Sequence, residues 1–160
     1  ENFLPILANY RNLCAHEDVV YEHRTEKTIF NTIYHEKLEI PRMDDEYIYG
    51  KDDILALLII LKYLLRKEDF RLLMKEIEYE IEKLDGRIDS IPIEKIMDKM
   101  GLPSNYMDLI ELRRPKIQKD SFIRIHYFVL KIIFIDINCS HFIILPIISL
   151  WLYWIVYCNK

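Results

Sequence analysis

Glycine is scarce in this chain, with three in 160 residues. That excludes a glycine-rich phosphate cradle, and neither a Walker nor a Rossmann spacing is present. Cysteine is equally rare. Cys14, Cys139 and Cys158 show no CxxC spacing, so no zinc site and no disulfide framework is written here, and they read as reduced thiols of a cytoplasmic protein. An excess of basic charge is missing too: 22 Lys and Arg face 26 Asp and Glu, for a net charge of -4. A general electrostatic footprint for nucleic acid is thereby excluded, and any RNA contact must come from a local site. There is no i, i+4 pair of histidines and no HExxH. His23, His35, Asp44, Asp45 and Glu46 therefore read as a solvated acidic loop rather than a metal centre, and neither metal nor cofactor is expected. No N-terminal signal peptide is visible. The chain opens on Glu1, which reads as the start of a C-terminal fragment of a longer protein.

What is present suffices for a core. Apolar residues make up 51% and charged residues 30% of the chain, which points to a globular domain, alone or with a tail, rather than to disorder. The character changes near Asp120. Residues 1–119 carry 19 basic and 24 acidic side chains, whereas residues 120–160 carry 3 and 2, with 11 isoleucines. The chain is accordingly read as a helical region, 1–113, and an apolar tail, 114–160.

The first region reads as an all-α bundle of four or five helices. Phe3, Ile6, Leu7, Tyr10, Leu13 and Cys14 have helical spacing, and Pro5 is tolerable in a first turn. A short helix is expected around Thr28 to Tyr34, then a loop to Gly50. "KDDILALLIILKYLLRK", Lys51 to Lys67, is the strongest helix, with acids in its first turn and bases in its last. It is apolar on every side from Ile54 to Leu61, as a buried central helix should be. Phe70, Leu73, Ile77, Ile81 and Leu84 form the single stripe of a surface helix, with Glu76, Glu78, Glu80 and Glu82 on its exposed side. Pro92 opens a short helix whose packed face is Ile93, Ile96, Met97 and Met100, and Gly101 stops it. Ser104 is the expected cap of one more turn.

"NYRNLCAH", residues 9–16, places polar groups within the first helix. On a helical wheel the apolar positions fill roughly a third of the circle, and Ala8, Asn9, Arg11, Asn12, Ala15 and His16 lie opposite. Arg11 and His16 flank this second face about 140° apart, with Asn12 between them. The alanines permit close approach of another backbone. Such residues suit metal-independent RNA cleavage. An imidazole can take the proton of a ribose 2′-hydroxyl. A guanidinium can hold the phosphate and stabilise transition-state charge. Asn12 can orient the phosphate or the imidazole. Because Arg11 and His16 diverge, two copies meeting about a two-fold axis would complete one site. The plainer alternative is a helix-end His16 capping a carbonyl and Arg11 paired with Glu17 or Asp18.

The run Arg11-Asn12-Leu13-Cys14-Ala15-His16 resembles the R-x4-H motif of HEPN-domain ribonucleases, in the wording of the abortive-infection (Abi) family related to AbiD and AbiF. "YIYGKDDILALLIILKYLL", "DFRLLMKEIEYEIEKL" and "IMDKMGLPSNY" resemble the C-terminal half of those proteins, in the same order. The resemblance covers roughly residues 4 to 110. It implies a HEPN-like helical bundle, bacterial phage defence by RNA cleavage, and a homodimer, with Arg11, His16 and Asn12 as catalytic residues. Two departures stand out: the family's N-terminal helices do not precede Glu1, and the last 40 residues do not resemble it.

In the tail, residues 142–158, "FIILPIISLWLYWIVYC", are free of charge. A membrane span is one reading, at the lower limit of length and weakened by Pro146. A frame-shifted end rich in the residues of AT-rich codons is favoured over it, and a buried C-terminal helix is the third. Two further functions compete with the nuclease: a non-catalytic HEPN-like interaction or sensing module, and a small membrane-associated helical protein.

Overall fold

The computed structural model describes residues 3–16 and 18–115. The apolar tail, including residues 142–158, Cys139 and Cys158, lies outside them, as does Glu17. The described chain is all-α apart from one small hairpin. In order it forms α1 (Phe3–Ala15), α2 (Ile33–Lys37), β1 (Arg42–Met43), β2 (Glu46–Tyr47), α3 (Ile54–Leu64), α4 (Lys67–Asp85) and α5 (Ile93–Met100), closed by a 3₁₀ turn at Tyr106–Ile110. Among these residues no helix is long and apolar enough to cross a membrane.

α3 is the centre. From Ile54 to Leu64 every residue but Leu57 is buried, and α1 and α4 both pack on it. A helix apolar on all sides has no solvent face, so it can only be stable when wrapped. Lys62 is the one charge inside this helix. It is buried, donates from Nζ to the Ile110 carbonyl at 2.8 Å and lies 4.9 Å from the centre of the Phe70 ring. Burial pushes its ammonium down to about 8. The lysine thus ties the 3₁₀ turn across the central helix. α4 buries Phe70, Leu73, Met74 and Ile77, while Ile81 and Leu84 are half-covered as the helix runs out from the core. Glu76 and Glu82 are exposed as expected, but Glu78 and Glu80 are half-buried, Glu80 through its ion pair with Lys83 at 2.9 Å.

Several boundaries differ from the sequence reading. The expected helix Lys51–Lys67 is shorter. Asp53 is its N-cap, and the chain leaves the helix at Leu65, so Arg66 and Lys67 open α4 instead. The expected helix at Thr28–Tyr34 lies further on, at Ile33–Lys37. Thr32 caps it, with His35 taking the position a glutamate usually fills in a capping box. Ser104 is exposed, and Asn105, not Ser104, precedes the 3₁₀ turn; the Asn105 amide instead reaches the Leu38 carbonyl at 3.0 Å. In the expected loop, Asp44 and Asp45 both take positive φ, as a two-residue type I′ turn requires, and pair β1 with β2.

The largest difference is His35, which is not solvated but fully buried. Its Nδ1 accepts from the Thr32 amide at 3.0 Å, so Nε2 carries the proton and donates to the Gly50 carbonyl at 2.7 Å. The ring stacks on Tyr47, which Arg42 covers with its guanidinium 4.3 Å from the ring centre. Burial lowers the pKa of His35. On the other side of the same residue the Gly50 amide donates to the Asp53 carboxylate at 2.9 Å and 3.1 Å, and Ala56 donates to it at 2.9 Å. Burial pushes the Asp53 carboxyl up to about 6 against these amides, which pull it down. Gly50 has φ +80°, and a Cβ there would sit 2.9 Å from His35 Nε2. Gly101, the αL residue that ends α5, presses on Asp53 so closely that a Cβ would overlap the carboxylate.

Gly101→Ala should therefore destabilise the fold by about 2 kcal/mol or more, since positive φ and a displaced buried carboxylate each cost on that scale. Urea unfolding followed by circular dichroism measures it, and an unchanged midpoint would refute the contact.

The two buried titratable groups carry opposite pH signatures. His35 has a lowered folded pKa, so below its ordinary value of 6.5 the unfolded chain binds more protons there and stability falls with pH. Asp53 has a raised folded pKa, so between about 6 and its ordinary 3.8 the folded chain holds the extra proton and stability is gained as pH falls. Asp53→Asn removes only the second effect. Its melting temperature should fall more steeply than that of the wild type between about pH 6.5 and about pH 4.5. Parallel melting curves would show that Asp53 takes up no proton in the folded chain.

Candidate functional site

α1 buries Ile6, Leu7, Tyr10 and Cys14 against the core, the stripe that the helical spacing predicts. Pro5 is exposed in the first turn, where its missing N–H costs nothing. The helical bonding runs one residue past Ala15: the His16 amide donates to the Asn12 carbonyl at 3.0 Å. His16 is therefore held in the last turn at its backbone, with its side chain exposed. Asn12, one turn back, is exposed as well.

Arg11 is not on this exposed strip. It lies at the border of the buried stripe, half-covered, with its Nε–H buried and without a hydrogen-bond partner among the described residues. No ion pair joins it to Asp18 among the described residues, so the plainer reading of Arg11 is not met on that side. Ala8 and Ala15 are half-buried within the chain itself. One copy of α1 thus presents Asn12 and His16 together and holds Arg11 apart from them, as the divergence of about 140° requires.

The structure adds a residue that the sequence reading assigned to a solvated loop. After His16 the chain turns, with the Asp18 amide on the Leu13 carbonyl at 2.9 Å, and the segment 18–31 returns along α1. His23 Nε2 meets Asn9 Oδ1 at 2.7 Å. Its ring stands edge-on to Tyr10, with the ring centres 5.6 Å apart at 82°. Since the amide oxygen can only accept, Nε2 carries the proton and Nδ1 keeps its lone pair in the neutral ring. Burial, then the neighbouring Arg24, lowers the pKa of His23. Arg24 is exposed, donates to the His23 carbonyl at 3.3 Å and lies 3.8 Å from Asp52.

Main-chain bonds fix the returning segment. The Thr25 amide donates to the Asp52 carbonyl at 2.8 Å, and the Ile29 amide to the Lys51 carbonyl at 2.9 Å. Thr25 is buried, and its hydroxyl donates to the Lys27 carbonyl at 2.6 Å. Nothing in the local pattern around His23 signals this. Its partner is 14 residues away, and the contact follows from how residues 52 and 51 hold Thr25 and Ile29.

Beneath lies Tyr10, buried, whose hydroxyl has no hydrogen-bond partner among the described residues. Burial, then the charge of Asp53, raises its pKa far above the ordinary range. Among the described residues no group of three His, Cys, Asp or Glu side chains is placed to hold a metal ion. The polar side chains at α1 are imidazoles, amides and guanidinium groups, which can transfer protons and bind anions.

Compared with known protein families, curated proteins and solved structures, this chain matches none.

Proposed function

We propose that this chain is a metal-independent endoribonuclease of the HEPN kind, acting in abortive infection, with Arg11, Asn12 and His16 as its catalytic residues. The observation that carries the reading is the exposed pair of Asn12 and His16 one turn apart at the end of a helix that buries a single stripe in the core. A helix end of this kind can present an imidazole for proton transfer and an amide for a phosphate oxygen. The R-x4-H spacing and the downstream segments that resemble the Abi family support it. The ribose 2′-oxygen attacks the adjacent phosphorus, the bond to the 5′-oxygen breaks, and the products carry a 2′,3′-cyclic phosphate and a 5′-hydroxyl. Arg11 stabilises the phosphate charge from a second copy, because on its own helix it points away from His16. The chain then works as a homodimer, in the cytoplasm where its RNA is.

Arg11→Ala and His16→Ala should each lower RNA cleavage at least a hundredfold while circular dichroism stays unchanged. Two variants that cut RNA at the wild-type rate would refute the assignment. Cleavage should also persist in excess EDTA, since the charge stabiliser is a guanidinium. Activity that is lost to chelation and restored by magnesium or manganese would rule out this mechanism.

Ala15 tests the assembly. A leucine there should obstruct close approach of a second α1 at a cost of about 1–3 kcal/mol, giving a folded and inactive monomer. Analytical ultracentrifugation beside a cleavage assay decides it; a wild type that cuts RNA as a monomer would overturn the two-copy site.

A further inference from the structure

We propose that His23 is a second catalytic imidazole of this site, held in place by Asn9 as a positioning residue. The inference rests on the ribonuclease reading and goes beyond it. That reading leaves one imidazole to serve two proton transfers, removal from the 2′-oxygen and delivery to the 5′-oxygen. The structure brings a second imidazole to the same helix. Asn9 and His16 are seven residues apart on α1, so they fall within about 20° of each other around the axis and about 10 Å along it. Asn12 lies between them. His23 is fastened to Asn9 at 2.7 Å. Helical side chains lean toward the N-terminus, which is the direction in which His23 lies from His16 along α1.

The orientation of His23 suits a base. With Nε2–H committed to Asn9, Nδ1 is the nitrogen left to accept a proton, and among the described residues nothing bonds to it. Its ring is braced against Tyr10 and partly open to solvent. The charges acting on it are Arg24, Asp18 and Asp52. The step balances with two histidines in opposite protonation states. His23 Nδ1 takes the 2′-hydroxyl proton as the 2′-oxygen bonds to phosphorus. The phosphorus–5′-oxygen bond breaks, and the 5′-oxygen receives a proton from the His16 imidazolium. Asn12 can donate to a phosphate oxygen between them. The arrangement would place acid and base in one chain and leave Arg11 as the contribution of the second.

The experiment compares the wild type with His23→Gln and His23→Ala on a single-stranded oligoribonucleotide. Glutamine can keep an N–H on Asn9 but cannot exchange a proton, so His23→Gln should stay folded and lose at least a hundredfold in rate. His23→Ala should lose as much and recover part of the rate when free imidazole is added, which repair of a merely structural defect would not give. Asn9→Ala should lower the rate and shift the pH–rate profile, because it frees the His23 ring. A wild type that cuts RNA beside a His23→Gln variant that cuts as fast overturns the role of His23 and leaves that of His16 standing. A wild type that cuts no RNA overturns the ribonuclease reading, and the base assignment falls with it.

Discussion

Gly50 is gripped through both of its main-chain polar groups, and much of the molecule hangs on that grip. Its amide serves the buried Asp53 at the head of α3, and its carbonyl receives His35 from α2. Hydrogen bonds to a charged group are worth about 1.5–3 kcal/mol, and an unmade one in a buried place costs comparably. Three elements are fixed at once: α2 by the imidazole, α3 by its cap, and the end of α5 by Gly101 lying on the carboxylate. The next two residues, Lys51 and Asp52, lend their carbonyls to Ile29 and Thr25. So the segment that carries His23 to α1 is hung from the same point as the central helix.

Where burial alone decides, the sequence was readable. α3 has to be central because Ile54 to Leu61 offers no face to water, and Gly101 ends α5 because glycine takes the αL position there without strain. The end of α3 was not readable, since the break at Leu65 carries neither Gly nor Pro and the charges of Arg66 and Lys67 suit the end of one helix as well as the start of the next. The hairpin was missed because Asp44-Asp45 is a weaker type I′ signal than Asn-Gly. His35 was misread for a plainer reason. Its neighbours in sequence are charged, while its neighbours in space are Tyr47, Thr32 and Gly50.

At the candidate site the same division holds. Helical geometry sufficed to separate Arg11 from His16 and to put Asn12 beside the latter. No periodicity could place His23, which reaches Asn9 through tertiary bonds. α1 consequently has two polar flanks of different kinds. One is the half-covered guanidinium of Arg11 at the edge of the core. The other is a strip of amides and imidazoles to which a returning loop contributes.

That loop has a dynamic consequence. Segment 18–31 contains neither helix nor strand, and it is secured to residues 51 and 52 by a few main-chain bonds, whereas α3 beneath it is enclosed. Apart from the segment's buried anchors, Thr25 and Ile29, most of its side chains are exposed, and segments of that kind open locally at a free energy below that of global unfolding. Such an opening would give His23 a second state, released with its loop, beside the one docked on Asn9. The fraction docked scales how often the strip on α1 is complete, so a change elsewhere in the loop would alter the strip through occupancy alone.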